Sequence, residues 1–284
     1  MGKANKVKIE LRDAVDMLEL IQTLKDIADN KLHTLQNQKY TFRRFGETFV
    51  EFFRMLSLTT VKHPMITNDN PLTAILVVTI EGSFLGEFNN KILRKAIEEY
   101  KKCEQAKFIA VGNRTIDRLQ EFTPDLKLFT NMEGFGIYET AVLVKDYLYE
   151  EIMNNRLGKV IVVYAWPKSF EIQKIRSLKL LPCDELLTKQ AQFVDRFEKI
   201  IEESRPENII GFLVNIWITT RLYEIFMDTL IASAAHQAKF LEDAVEKMKK
   251  ERSKTRLKYR KAKKMDIDTA LRETFTARSM VQTN

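Results

Sequence analysis

Of the 284 residues, 45% are apolar and 30% are charged, with only 9 Gly and 6 Pro; that much apolar material excludes wholesale disorder, and so few turn-makers point to long uninterrupted helices. Two cysteines (Cys103, Cys183) and three scattered histidines (His33, His63, His236) exclude a disulfide framework and a four-cysteine zinc site, and make a histidine-held metal a poor fit. The net charge of +7 has a local origin: residues 246–264 hold eight Lys, three Arg and two Glu, a net of +9, which leaves −2 for the other 265 residues.

The first 58 residues contain no Pro and, after Gly2, a single Gly, Gly46. Val7, Leu11, Ala14, Leu18, Ile21, Lys25, Ala28, Leu32 and Leu35 step by four and three, and eight of the nine are apolar. A 3.5-residue repeat held this long predicts a coiled-coil seam rather than an ordinary surface helix. The register runs on through Phe42, Gly46, Phe49, Phe53 and Leu56. The helix should stop before His63-Pro64, because a residue preceding proline avoids the α region.

From Pro64 to Pro206 the texture changes. Continuous apolar runs at 74–79 (AILVVT), 107–111 (KFIAV) and 159–164 (KVIVVY) predict buried strands, and 177–181 predicts one more. Between them, 89–100, 115–122 and 137–153 read as helices, and 190–204 has helical spacing. Strands alternating with helices predict an α/β domain with a mainly parallel, Rossmann-like sheet. After Pro206 the pattern is helical almost to the end, with Ala234, Ala238, Leu241, Val245 and Met248 stepping by four and three. The seam then weakens through Arg252, Thr255, Tyr259 and Ala262; later apolar residues are Ile267, Leu271 and Phe275. The expected organisation is a helix over 1–60, an α/β domain over 64–205, and a helix over 206–284 that pairs with the first as a long antiparallel coiled coil. At 1.5 Å per residue the two helices reach roughly 85 and 110 Å, so the last should overhang by about 25 Å.

A search for chemistry returns little. There is no phosphate-cradling GxxxxGK[ST], and no HExxH, GxSxG or CxxC. The GxG at Gly134 and Gly136 has Glu139 in the third glycine position and reads as a turn. Cys103 has no identifiable base partner and reads as an ordinary thiol; His63 reads as a loop residue and His236 as a helix-face residue. The start, MGKANKVKIELR, has no apolar core of a signal peptide, and the longest apolar stretch, 209–218, is interrupted by Asn215. The basic block has four readings. It suits a solvated helix face, phosphate contacts without a stacking platform (Tyr259 is alone), an anionic membrane met through a thin apolar face (Met248, Leu257, Ala262), or a strip facing acidic loops of a protein partner.

Three stretches carry a resemblance across the chain. Leu24-Lys25-Asp26-Ile27-Ala28-Asp29-Asn30-Lys31-Leu32 is similar to MKMVAAAKL. Residues 76–89, LVVTIEGSFLGEFN, are similar without a gap to LVVSTDRGLCGGFN. Residues 257–267, LKYRKAKKMDI, are similar to LTYNRARQAAI. The quoted patterns belong to the gamma subunit of the F-type ATP synthases, which the chain resembles throughout. Departures mark a divergent branch: Lys263-Lys264 stands for the family's Arg-Gln, Ser83-Phe84-Leu85-Gly86-Glu87 for GLCGG, and Glu273-Thr274-Phe275-Thr276-Ala277-Arg278 for EIVGGA. Lysine keeps the charge of arginine but not its planar fork.

The resemblance implies a central rotor shaft that couples ion flow through a membrane ring to ATP synthesis or hydrolysis. The implied partners are a surrounding ring of alpha and beta subunits, an epsilon subunit and a c-ring, with no nucleic acid and with membrane contact only through the complex. It implies no cofactor, no metal and no active site on the chain itself, and a place at the cytoplasmic face of the cell membrane. Carried over residue by residue, the ring contacts are Lys25, Lys31, Tyr259, Lys261, Lys263, Lys264 and Ile267, and the foot-domain motif is Glu81, Gly82, Gly86 and Asn89. The alternatives are a stand-alone coiled-coil scaffold or adaptor, and a gamma-like subunit of a specialised ATPase machine.

Overall fold

The computed structural model describes residues 3–55, 63–114, 116–132, 136–183 and 206–281, with side chains for all of these except 41–55, 206–210, 277 and 279–281. The helix expected over 190–204, most of the GxG turn, and the seam side chains Phe42, Phe49, Phe53 and Leu56 lie outside the described residues. In chain order the elements are α1 (Lys3–Met55), β1 (Thr73–Val78), α2 (Gly86–Lys101), β2 (Ala106–Val111), α3 (Ile116–Gln120), β3 (Lys127–Phe129), α4 (Gly136–Met153), β4 (Lys159–Pro167), β5 (Gln173–Leu181) and α5 (Pro206–Val281). They divide into two compact units, Met1–Asn30 with Ala238–Asn284, and Lys31–Gln237.

The larger unit is built on a five-stranded sheet in the order β3-β2-β1-β4-β5. β1, β2, β3 and β4 run parallel, and β5 returns antiparallel along β4. β1 lies at the centre, and all six of its residues are buried, which is why its sequence is one unbroken apolar run. α2 buries Phe88, Asn89, Ile92, Leu93, Ala96 and Glu99, a helical stripe packed on β1, β4 and β5. Leu32 and Leu35 of α1, and α5 from Leu213 to Ala235, belong to the same apolar core as the sheet. His63 lies in a loop as expected and is buried; its carbonyl accepts from the Ile66 and Thr67 N–H groups at 2.8 and 3.0 Å.

The smaller unit is an antiparallel helix pair. Ala28 packs with Ala238 and Leu241 at one end. At the other, the Ala4 N–H donates to Asp266 Oδ2 at 3.2 Å. Each expected α1 seam position in this unit is buried or half-buried: Leu18 and Ala28 are buried, and Val7, Leu11, Ala14, Ile21 and Lys25 are half-buried. On α5 the same holds for Ala238, Leu241, Val245, Thr255 and Ala262, with Met248 and Tyr259 half-buried and Arg252 exposed. The seam therefore narrows instead of ending. Thr255 and Ala262 are small enough to be covered by a close helix neighbour although they carry little apolar surface.

Candidate partner surface

The loop after β1 carries the first group of candidate residues. It must turn from a central strand into α2 while its backbone leaves the ladder. Thr79 N–H and Oγ1 both donate to the Val111 carbonyl, at 2.9 and 3.1 Å. Asn89, 4% exposed on the first turn of α2, then takes over. Its Oδ1 accepts from the Ile80 N–H at 3.2 Å and its Nδ2 donates to the Ile80 carbonyl at 2.8 Å, so one side chain replaces the strand partner that Ile80 has lost. Gly82 has φ +149°, in the region that favours glycine. Gly86 opens α2 with open space where a Cβ would sit, so packing does not require glycine there. Gln237 Nε2 donates to the Ser83 carbonyl at 2.8 Å, and the Phe88 and His236 rings pack with centroids 5.4 Å apart. Burial there lowers the His236 pKa, as does nearby Lys91, against the smaller opposing pull of Glu87. Glu81 stays exposed and shares with Lys31 a crevice of about 280 Å³ at the C-terminal ends of β1, β2 and β3, with Asn113 and Asn131 on its wall.

The second group lies on the helix pair of the smaller unit. Lys25 occupies a seam position, yet its Nζ is held 2.6 Å from Asp29 on its own helix; that hydrogen bond raises its pKa above the ordinary lysine value, with Glu242 of α5 adding to the pull. Tyr259 is half-buried, Lys261, Lys263 and Lys264 are exposed, and Ile267 is half exposed. The structure does not gather these residues at one point. Lys25 faces Glu242, about 19 residues before Lys261 along α5, which is about 28 Å of helix. What it does produce is a continuous cationic surface: because Thr255 and Ala262 take the seam, the lysines and arginines between them point outward, and no described ion pair involves a residue of 246–264.

Asp266 was not legible as a functional residue, and it bonds to the first turn of α1. A carboxylate on the free N–H groups of a helix first turn satisfies a donor and complements the helix dipole. Beyond it α5 continues to Val281 with Ile267, Leu271 and Phe275 exposed on one face at helical spacing. Among the described residues no cluster of three or more His, Cys, Asp or Glu is placed to hold a metal ion, and no helix is long and apolar enough to cross a membrane.

The family model described as ATP synthase matches residues 3–279. The ATP synthase gamma chain of Nitratiruptor sp. is 25% identical over 215 residues, covering 70% of this chain and 69% of that protein. The gamma chain of Chlorobium phaeobacteroides is 21% identical over 290 residues, covering 96% and 97%. Among solved structures, the central stalk and c-ring of the Tetrahymena thermophila mitochondrial ATP synthase gives a TM-score of 0.60 at 15% identity, over 79% of this chain and 99% of that one. The rotor of the Euglena gracilis mitochondrial ATP synthase gives 0.58 at 14% identity, over 93% and 98%. At these identities the structural likeness speaks for the fold.

Proposed function

Because the chain belongs to the ATP synthase family, with gamma chains as its relatives along almost its whole length, we propose that it is the central rotor shaft of an F-type ATP synthase or ATPase, coupling ion flow through a membrane ring to ATP synthesis or hydrolysis. Its partners on this reading are a ring of alpha and beta subunits around the helix pair, and an epsilon subunit and c-ring at the α/β foot. It then works as a peripheral component at the cytoplasmic face of the cell membrane, and the nucleotide chemistry belongs to the ring.

The observation that carries the reading is the cationic stretch 246–264, which the chain itself leaves without ion-pair partners among the described residues. Charge attraction to acidic loops of a surrounding ring favours association without a close-fitting apolar lock, so a turning shaft passes from one subunit to the next. Lys25, Lys31, Tyr259, Lys261, Lys263, Lys264 and Ile267 are assigned to the ring. Glu81, Gly82, Gly86 and Asn89 are assigned to the foot, where Asn89 fixes the loop that presents Glu81. An asymmetric shaft stabilises a different conformation in each surrounding subunit, which is how differential contact becomes work.

The experiment is native co-purification with subunit counting. The shaft reading requires nucleotide-binding alpha-like and beta-like chains in excess over this one. Recovery of the chain alone, or in equal number with a partner that binds no nucleotide, overturns it.

A further inference from the structure

Among the described residues of the larger unit, one ion pair joins α1 to α5: Lys39 Nζ donates to Asp228 Oδ1. The Asp228 side chain is only 11% exposed, and Phe226, Met227, Leu230 and Ile231 beside it are buried. Among the described residues, the other charges near Asp228 are Glu224 and Arg221, which bond to each other at 2.8 Å. Lys39 is thus the one described cation in contact with the Asp228 carboxylate.

The placement of Lys39 is what gives the pair a meaning. It follows Leu35 by four residues and so continues the seam of α1. The apolar steps of α1 repeat every seven residues, so sliding it by seven along α5 returns apolar α1 side chains to the same face. The ion pair is not degenerate. A slide of seven in one direction puts Leu32 where Lys39 stands and carries Lys39 to the place facing Arg221; in the other direction Gly46 stands there and Lys39 faces Ala235. Either slide separates the Asp228 carboxylate from Lys39. Buried polar pairs contribute little to stability compared with apolar replacements, and their best-attested use is the choice of register.

We infer that the Lys39–Asp228 pair is the register key of the α1–α5 pairing in the larger unit, selecting one heptad register from a set that the apolar seam accepts. The inference stands apart from the shaft reading, since it concerns the chain alone.

The test uses the full chain with Cys103→Ser and Cys183→Ser, and spin labels at Gln36→Cys and Phe212→Cys. Sliding by seven residues changes their separation by about 10 Å. The otherwise unchanged chain should give a single distance. Lys39→Met with Asp228→Leu removes both charges and puts apolar side chains in their place, and should give a second distance displaced by about 10 Å. Lys39→Asp with Asp228→Lys restores an attractive pair, and should return the single distance. One unshifted distance in the apolar variant overturns the inference. Failure of both double variants to fold overturns it as well, because the pair would then be holding the fold together, not choosing among its registers.

Discussion

Asn89 replaces a missing strand with one amide. Both polar groups of Ile80 are answered by it at a site 4% exposed, so removing the amide strands a buried N–H and a buried carbonyl together. Asn89→Ala should lower unfolding free energy by about 2–3 kcal/mol in a denaturant titration; a loss below about 0.5 kcal/mol would show that water or a shifted loop takes over. Glu151 makes a comparable argument through charge. Burial pushes its carboxyl up, but hydrogen bonds from Lys107 and Arg156 at 2.7 Å outweigh that and hold the pKa below the ordinary glutamate value. A depressed folded pKa contributes stability that is present above the unfolded value and lost as pH falls through the folded one. Glu151→Gln should therefore flatten the decline in stability between roughly pH 5 and pH 3, read as melting temperature against pH. Roles of this kind were only partly legible beforehand. Asn89 stood out through a motif, but its bonds to Ile80 require knowing that β1 ends at Val78. Lys39, Asp228 and Asp266 did not stand out at all, because a charge within a helical run looks like a solvated face until the partner helix is placed.

At the scale of elements, the long helices were legible because their signal repeats: a stripe seen at nine successive positions leaves few other readings, and every one of the nine is buried or half-buried. Leu18→Asp combined with Ile21→Asp puts two carboxylates into that stripe. The helix pair of the smaller unit should separate and helical content should fall in circular dichroism; an unaltered spectrum contradicts the seam. Central strands were legible for a different reason, as runs buried on both faces. The misses follow the same logic. β3, Lys127–Phe129, is three residues long and shows no run. β5 begins at Gln173, four residues before the apolar part that reveals it, because pairing with β4 continues through Lys174 and Arg176, where the Arg176 guanidinium lies 3.3 Å from the centre of the Trp166 ring. A sequence shows the buried side of a strand better than its hydrogen-bonded length.

For the whole molecule, the decisive quantity is where the charge sits. Neutralising Lys258, Lys261, Lys263 and Lys264 to Gln removes four exposed cations that make no described ion pair. Surface changes of this sort shift stability by about 0.5 kcal/mol or less, so the isolated chain should melt as before. Rotation-coupled ATP turnover by the assembled complex should fall, and its salt dependence should weaken. Turnover that is unchanged counts against the role given to this stretch. Family membership was legible from three short stretches because they match the family's patterns residue by residue. The identity of the partners is not written in a helix face in the same way, since one cationic surface suits many acidic ones.

The segment past Asp266 has a thermodynamic consequence of its own. Its side chains from Ile267 to Thr276 are exposed, and most helical stability in proteins comes from packing of an apolar face, which this stretch lacks among the described residues. In the free chain its amides should exchange with solvent far faster than those of 238–262, as hydrogen–deuterium exchange would show. Whatever captures Ile267, Leu271 and Phe275 must then supply the order itself, and part of the contact energy goes into winding the last turns. Such an end should grip tightly only while it is enclosed, and fray when it is let go.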